Sequence, residues 1–145
     1  MSELEYVNNF RDLQVYRKSR MLSREIFAIT KNFPKEETFS LVDQVRRSSR
    51  SIGAQIAEAW AKRRYEKHFI SKLTDADGEQ HETQHWIGIA VDCGYIPPEQ
   101  AKNLLEKCEE IGRMLGGMIN KADLFCHPQS LSVHEEQAAY LNTED

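Results

Sequence analysis

The sequence predicts an all-α protein, built as an antiparallel up-down-up-down bundle of four helices. Apolar residues recur at spacings of three and four along most of the 145-residue chain, as they do on the buried face of a helix. No segment alternates apolar and polar residues in the manner of a strand, and the 4 prolines fall only where a helix should begin or end. Short connections between the four helical segments then favour a bundle.

The first predicted helix runs from about Phe10 to Asn32. Phe33-Pro34 should end it, because the residue before a proline is pushed out of the α region. Its buried side is marked by apolar residues at helical spacing, namely Val15, Leu22, Ile26 and Ile29, with Tyr16 and Phe27 beside them.

The second helix is predicted to begin near Glu37-Thr38. Residues 37–92 are too many for one helix in a compact domain of this size, so we expect a turn at about 60–65, although this stretch has neither glycine nor proline. Arg46, Arg47 and Arg50 should lie opposite the buried seam, which consists of Leu41, Val45, Ser48, Ile52, Ile56 and Ala59.

The third helix has a partly polar seam, so its neighbours should supply hydrogen bonds to it. This seam consists of Phe69, Leu73, Ala76, Gln80, Thr83, Ile87 and Ala90.

The fourth helix should begin at Pro98, which suits the first helical position, followed by Glu99 at the positive end of the helix. Gly112 and Gly116 weaken the helix but could admit another backbone. Its seam consists of Ala101, Leu104, Cys108, Ile111, Leu115, Met118, Ala122 and Phe125. Residues 1–125 are therefore expected to form one bundle domain, and residues 126–145, with 4 acidic and no basic side chains, a flexible acidic tail.

Composition favours a reduced, cytoplasmic compartment. No apolar run approaches the roughly 20 residues of a membrane span, and the acidic N-terminus lacks the apolar segment of a secretion signal. The 3 cysteines are odd in number and widely spaced, as expected for free thiols. We therefore expect no membrane partner and no cofactor.

Charge is unevenly distributed along the chain. Residues 37–73 hold 8 basic and 4 acidic side chains, whereas residues 74–99 hold 6 acidic and no basic ones. Helices of opposite charge would attract each other within one bundle or between subunits, and solvated faces of opposite sign would give the same pattern.

His81-Glu82-Thr83-Gln84-His85 has the spacing of a zinc-protease helix, in which two imidazoles bind zinc and the glutamate is the general base. Catalytic zinc needs three protein ligands, and Val91 occupies the position where the extended pattern has its third. At about 100° per residue, both histidines should also face away from the buried seam. We interpret the pattern as a chance match, with metal-dependent hydrolysis through His81, Glu82 and His85 as the alternative function.

Two groups of basic residues are candidates for contact with nucleic acid or with another subunit. Arginine and lysine clusters of this kind can neutralise phosphates. Salt bridges to acids of the next helix, such as Glu79 and Glu82, would explain them equally well. The candidates are Arg46, Arg47 and Arg50 in one group and Lys62, Arg63 and Arg64 in the other.

Several segments together resemble one known family. The most specific is residues 44–59, which read QVRRSSRSIGAQIAEA, and the match extends over about residues 10–125. Other matching positions are Phe10-Arg11-Asp12-Leu13, Phe33-Pro34, Tyr65, Phe69, Glu82-Thr83, Trp86-Ile87 and Gly94-Tyr95-Ile96. They are similar to the four helix bundle protein family, known from proteins encoded in intervening sequences of bacterial 23S ribosomal RNA genes and sometimes labelled ribosomal.

The resemblance implies a left-handed bundle that assembles into a ring of five subunits. A similar bundle, the accessory variability protein of diversity-generating retroelements, forms a pentamer and binds nucleic acid and its reverse transcriptase. His81 and His85 fall at variable positions of the family pattern, which favours the interpretation as a chance match. We therefore predict a non-enzymatic, homo-oligomeric assembly protein, with RNA, DNA or a nucleic-acid enzyme as its candidate partner.

Overall fold

A computed structural model describes residues 6–126 and 133–134, and helices dominate it. The four long helices are α1 (Gln14–Thr30), α2 (Leu41–Ala61), α3 (Glu66–Asp92) and α4 (Pro98–Asn120). The other described elements are a short helix α5 (Ala122–Phe125), the strands β1 (Tyr6–Val7) and β2 (Val133–His134), and 3-10 turns at Phe10–Asp12 and Lys35–Glu37. The predicted all-α class with four long helices is confirmed.

The four long helices enclose one hydrophobic core. α2 packs against α1 and α3, and α4 packs against the same two helices. Every residue of the seams predicted for the second, third and fourth helices is buried. The seam of α1 is buried except that Ile29 is half-buried, and Phe27 beside it is exposed. Phe69 and Phe125 stack with their ring centroids 5.7 Å apart, which fixes α5 to α3.

The first helix is shorter than predicted. Phe10–Asp12 forms a 3-10 turn that the side chain of Asn9 caps, and Leu13 is extended, with φ −64° and ψ 130°. α1 begins only at Gln14, because the extended Leu13 places its side chain in the core, where it is fully buried. The helix then ends at Thr30, before the predicted end.

The second helix also begins later than predicted. Lys35–Glu37 forms a 3-10 turn, and α2 starts at Leu41. The Glu37 carboxylate accepts hydrogen bonds from the hydroxyls of Ser40 and Tyr95, both at 2.7 Å, which fix this segment to the loop after α3. The bond from Ser40, followed by that from Tyr95, lowers the pKa of Glu37, and the same carboxylate raises the pKa of Tyr95 to about 12.

The turn predicted at about 60–65 is confirmed, since α2 ends at Ala61 and α3 begins at Glu66. The backbone amide of Lys62 donates to two carbonyls in the last turn of α2, at 3.0 and 3.1 Å. Arg63 Nε donates to the Trp60 carbonyl at 3.0 Å. These bonds satisfy carbonyls that the end of a helix leaves free, so α2 stops without glycine or proline.

Glycine and proline do set the joint between α3 and α4. Gly94 has φ +76°, a left-handed conformation that favours glycine, and the Tyr95 amide donates to the Ala90 carbonyl at 2.9 Å. Pro98 occupies the start of α4, as predicted. The fourth helix was predicted to continue through its seam to Phe125. That prediction is wrong, because the helix is interrupted at Lys121 and a separate short helix, α5, follows.

Polar groups occupy the core between α2, α3 and α4, as the sequence predicted for α3. The hydroxyl oxygens of Ser48 and Thr83 lie 2.9 Å apart, and both residues are fully buried. Gln80 is 3% exposed, and its Nε2 donates to Asp77 Oδ1 at 2.9 Å. A Cβ added at Gly112 would lie 2.8 Å from that Nε2. Gly112 therefore makes room for a buried amide rather than for another backbone.

Gly116 has no such role among the described residues, since an added Cβ there would meet no side chain and no neighbouring helix within 4 Å. Nothing in the described residues therefore bears out the expectation that it admits a neighbouring backbone.

The two ends of the described chain meet in a short antiparallel pair. Tyr6 pairs with His134 and Val7 with Val133, and the Val7 side chain is buried. The rest of the predicted tail, at 127–132 and 135–145, lies outside the described residues, so its flexibility stays a prediction. Among the helices described, none is long and apolar enough to cross a bilayer.

Candidate nucleic-acid interface

The three predicted arginines of α2 differ in what they contact. Arg47 and Arg50 are exposed, whereas Arg46 is half-buried. Arg46 Nε donates to Thr30 Oγ1 at 2.8 Å, and its guanidinium carbon lies 4.5 Å from the ring centroid of Phe27. Arg46 therefore holds the start of α2 against the end of α1.

Arg47 makes the interhelical ion pair that the sequence suggested. Its Nη2 lies 2.8 Å from Glu82 Oε2, which also accepts a hydrogen bond from Trp86 Nε1 at 3.1 Å. The two charged side chains are 51% and 36% exposed, so solvent screening limits the pair to about 0–1 kcal/mol. This is the contribution of a surface pair, below the several kcal/mol of a buried one.

Glu79, the other suggested acid, has no salt bridge within the described residues. Its Oε1 is buried without a hydrogen-bond partner there. Burial first, and then the charge of Glu82, raises the pKa of this carboxyl. The charge of Arg47 partly offsets this rise in pKa, but Glu79 makes no direct ion pair with Arg46, Arg47 or Arg50 in the described chain.

Arg50 belongs to a wider surface that α1 and α2 share, here called the α1–α2 face. Cations and aromatic rings adjoin one another on it, with distances of 4.5 to 5.8 Å between each charged group and a ring centroid. The cations are Arg11, Arg20, Lys31, Arg46 and Arg50, and the rings are Phe10, Tyr16 and Phe27.

The α1–α2 face is positively charged because its acids are few or turned elsewhere. Residues 11–31 hold 6 basic and 2 acidic side chains. Of the two acids, Glu25 binds Lys107 of α4 at 2.6 Å, and Asp12 is half-buried. Asp43 is the acid that lies beside Arg46, in the shallow depression along the outer side of α2. An anion approaching this face meets more positive than negative charge.

A groove of about 410 Å³ runs between α1 and α2 within this face. Arg20 of α1 and Arg50 of α2 both line it, and the other lining residues are small, hydroxylated or aromatic. These others are Phe10, Tyr16, Ser19, Ser23, Ser49, Gly53, Ala54 and Ala57.

The second predicted group, Lys62, Arg63 and Arg64, does not form one uniform basic surface. Arg63 stacks on Trp60, with the guanidinium carbon 3.5 Å from the ring centroid, and its Nη1 is buried. Burial lowers the pKa of this guanidinium. Lys62 is half-buried at the end of α2, and only Arg64 is exposed. Arg63 therefore stabilises the turn between α2 and α3, and Arg64 is the most exposed cation of this group.

His81 and His85 lie exposed on the outer side of α3, as their angle from the seam predicted. His81 Nδ1 lies 2.9 Å from the Asp77 carbonyl oxygen, and the His85 ring packs edge-on against Trp86 at 4.7 Å. In the described part of the chain, no three His, Cys, Asp or Glu side chains are grouped so that they could hold a metal ion.

Neither Cys108, which is buried, nor Cys126, which is half-buried, is an activated thiol. Burial raises the pKa of Cys108 to about 12 and that of Cys126 to about 11, so both thiols stay protonated and unreactive at neutral pH. Cys93 is exposed.

Sequence reasoning missed the α1 half of this surface. It found the arginines of α2 by their spacing, but it used Tyr16 only as a residue beside the core and did not consider Arg20. The excess of basic side chains over residues 11–31 was the available signal. That Arg20 and Arg50 share a groove depends on which sides of two helices meet.

Comparison with known proteins finds one matching family and a similar solved structure. The family model for 23S rRNA-intervening sequence proteins matches residues 11–117. A crystal structure of a protein of unknown function from the S23 ribosomal protein family of Bacteroides thetaiotaomicron is similar, at 32% sequence identity and a TM-score of 0.67. The match covers 73% of this chain and 95% of that one. No curated protein sequence matches this chain significantly.

Proposed function

Because the chain belongs to the 23S rRNA-intervening sequence protein family, we propose that it acts by binding rather than by catalysis. Its bundle, antiparallel and up-down-up-down, assembles into a homo-oligomeric ring, with five subunits by family resemblance. The α1–α2 face of each subunit binds single-stranded nucleic acid, of which RNA is the form that the family's name suggests.

The observation that carries the binding proposal is the alternation of cations and rings on the α1–α2 face. Proteins that bind single strands combine a basic track for the phosphates with aromatic side chains on which bases stack. The α1–α2 face offers both, in Arg20, Arg46 and Arg50 and in Tyr16 and Phe27. The α1–α2 face has more basic than acidic side chains, although the whole chain has a net charge of −4.

Assembly is supported by apolar surface that the single chain leaves in water. Phe39 is 94% exposed just before α2, and Met21 is 56% exposed on α1. Large exposed aromatic residues are enriched in the centres of protein interfaces.

Light scattering tests the assembly. The full chain at micromolar concentration should give a mass several times the 16.8 kDa of one chain. Phe39→Ser should shift the protein towards smaller species while helical circular dichroism is unchanged, because Phe39 makes little contact within its own chain. A wild-type mass of one chain at every concentration would contradict the assembly.

Charge reversal tests the binding. Arg50→Glu should weaken binding of a labelled single-stranded RNA, measured by fluorescence anisotropy, and should lower the slope of log affinity against log salt by about 0.7 for each phosphate that the variant no longer neutralises. Arg113→Glu, on α4, is the matched control, because Arg113 is also exposed but lies outside the α1–α2 face. Equal weakening by both variants would mean that net charge, rather than this face, governs binding.

A further inference from the structure

The groove between α1 and α2 stays open because small residues form its floor. Gly53 lies in close contact with α1, since a Cβ added there would lie 3.1 Å from Ser19 Oγ and 3.4 Å from Tyr16 Cε1. Ala54 and Ala57 continue the floor along α2. The resulting volume, about 410 Å³, falls within the roughly 300–1,000 Å³ typical of small-ligand sites.

The groove carries two cations and no acid among its described lining residues. Arg50 has no ion pair or hydrogen bond within the described chain, where its guanidinium carbon lies 5.6 Å from the ring centroid of Phe27. Among the described residues, the one hydrogen bond found for the Arg20 guanidinium runs from Nη1 to the Tyr16 hydroxyl, at 3.2 Å. Most of the donors on both guanidinium groups are therefore free for an anion that binds between the two helices.

The remaining polar groups of the groove select a ligand that donates hydrogen bonds. Ser19, Ser23 and Ser49 each donate their hydroxyl proton to a backbone carbonyl of their own helix, at 2.7, 2.9 and 3.1 Å. Because their protons are already donated, these oxygens can only accept. Ser19 and Ser49 are each 1% exposed and Ser23 is half-buried, so the Ser23 oxygen is the acceptor that a ligand in the groove reaches most readily. Tyr16 and Phe10 meet edge to face, with their ring centroids 5.0 Å apart, and give the groove an aromatic wall. A ligand that fits has an anionic group, a flat ring and N–H donors.

We infer that this groove binds one nucleotide unit, with its phosphate on Arg20 and Arg50 and its base against Tyr16 and the small-residue floor. The inference rests on the proposed function and deepens it, because it identifies the groove as the site on the α1–α2 face where one nucleotide of a single strand is bound. Inorganic phosphate would use the arginines alone. An acidic protein side chain would likewise leave the aromatic wall and the hydroxyl acceptors unused. The nucleotide unit can come from a free nucleotide or from a strand.

Three probes and two variants test the inference on the full chain. Adenosine 5′-monophosphate and inorganic phosphate are titrated by calorimetry, and a 12-nucleotide single-stranded RNA by anisotropy. The wild type should bind the nucleotide at least about tenfold more tightly than phosphate, because the base adds stacking. Ala57→Leu fills the floor without changing charge and should abolish nucleotide binding. Arg20→Gln should weaken it about tenfold.

Matched controls keep the result specific. Ala61→Leu makes the same substitution on α2 outside the groove, and Arg113→Gln removes the same charge from α4. Both controls should bind the nucleotide as the wild type does. Circular dichroism should show that every variant is folded, and Arg20→Gln, at an exposed position, keeps the test open if Ala57→Leu does not fold.

Several outcomes would overturn the inference. If the nucleotide binds no better than phosphate, or binds equally to folded Ala57→Leu, the groove is not a nucleotide site, and RNA binding by the wild type would then leave the proposed function standing. A folded Ala57→Leu that loses assembly, with no nucleotide bound by the wild type, would identify the groove as a subunit contact. Nucleotide binding without RNA binding would support the groove and contradict the proposed function.

Discussion

The buried hydroxyl pair between α2 and α3 gives the sharpest test of how the core is stabilised. Ser48 and Thr83 are both fully buried, and their oxygens lie 2.9 Å apart. Thr83→Val keeps the shape of the side chain and removes its hydroxyl. Ser48 then loses the bond to Thr83 and keeps the bond that its hydroxyl donates to the Val45 carbonyl, at 3.3 Å. Leaving a buried polar group unsatisfied costs about 1–3 kcal/mol. Because Ser48 keeps its bond to Val45, we expect a loss of unfolding free energy at the low end, about 1 kcal/mol.

The double-mutant cycle isolates this pair. Ser48→Ala should also cost about 1 kcal/mol, since Thr83 keeps the Glu79 carbonyl at 2.8 Å. The double variant leaves no orphaned hydroxyl, so it should cost less than the sum of the single changes by about 1 kcal/mol. Urea unfolding followed by circular dichroism at one fixed protein concentration measures all four proteins. Additive costs, within error, would refute the account of a coupled polar pair.

Further predictions concern individual glycines, cysteines and one buried carboxyl. Gly78→Ala should raise the free energy of unfolding by up to about 1 kcal/mol, because an added Cβ meets nothing within 4 Å in mid-helix. Gly112→Ala should raise the free energy of unfolding less than Gly78→Ala does, or should lower it, because the added Cβ would lie 2.8 Å from the buried Gln80 amide. Equal gains for the two variants in urea unfolding would contradict this packing. A thiol reagent at neutral pH should label exposed Cys93, whereas Cys108 should react only after unfolding; mass spectrometry showing early Cys108 labelling would contradict its burial. Glu79→Gln should stabilise the protein above the raised folded-state pKa, where the carboxylate is charged in both states, and this gain should vanish below the unfolded pKa of about 4.3, where both states are protonated. A gain in melting temperature that is independent of pH would contradict it.

The sequence predicted the core better than it predicted the ends of the helices. Apolar spacing located the buried seams of α2, α3 and α4, because a repeat over several turns leaves only one side to bury. The starts of α1 and α2 depend on tertiary contacts: Leu13 leaves the helix to enter the core, and Glu37 is held by Tyr95 from the far end of α3. Local sequence carries no signal for either contact.

The candidate site shows the same division. The arginines of α2 and the ion pair from Arg47 to Glu82 followed from charge and spacing. The groove joins Arg20 to Arg50 across two helices, and it exists because Gly53 lets those helices approach. Spacing within one helix cannot show which of its sides meets a neighbour, so this half of the site required the structure.

Crosslinking of a photoreactive single-stranded RNA to the full chain, with the crosslinked peptides identified by mass spectrometry, tests the central claim most directly. Binding on the α1–α2 face predicts crosslinks in α1 and in α2, centred on peptides that contain Tyr16, Phe27 and Arg50. These crosslinks should fall as salt rises, because the proposed contacts are ionic. Crosslinks confined to α3 and α4, or none above those of an unrelated control protein, would contradict the account.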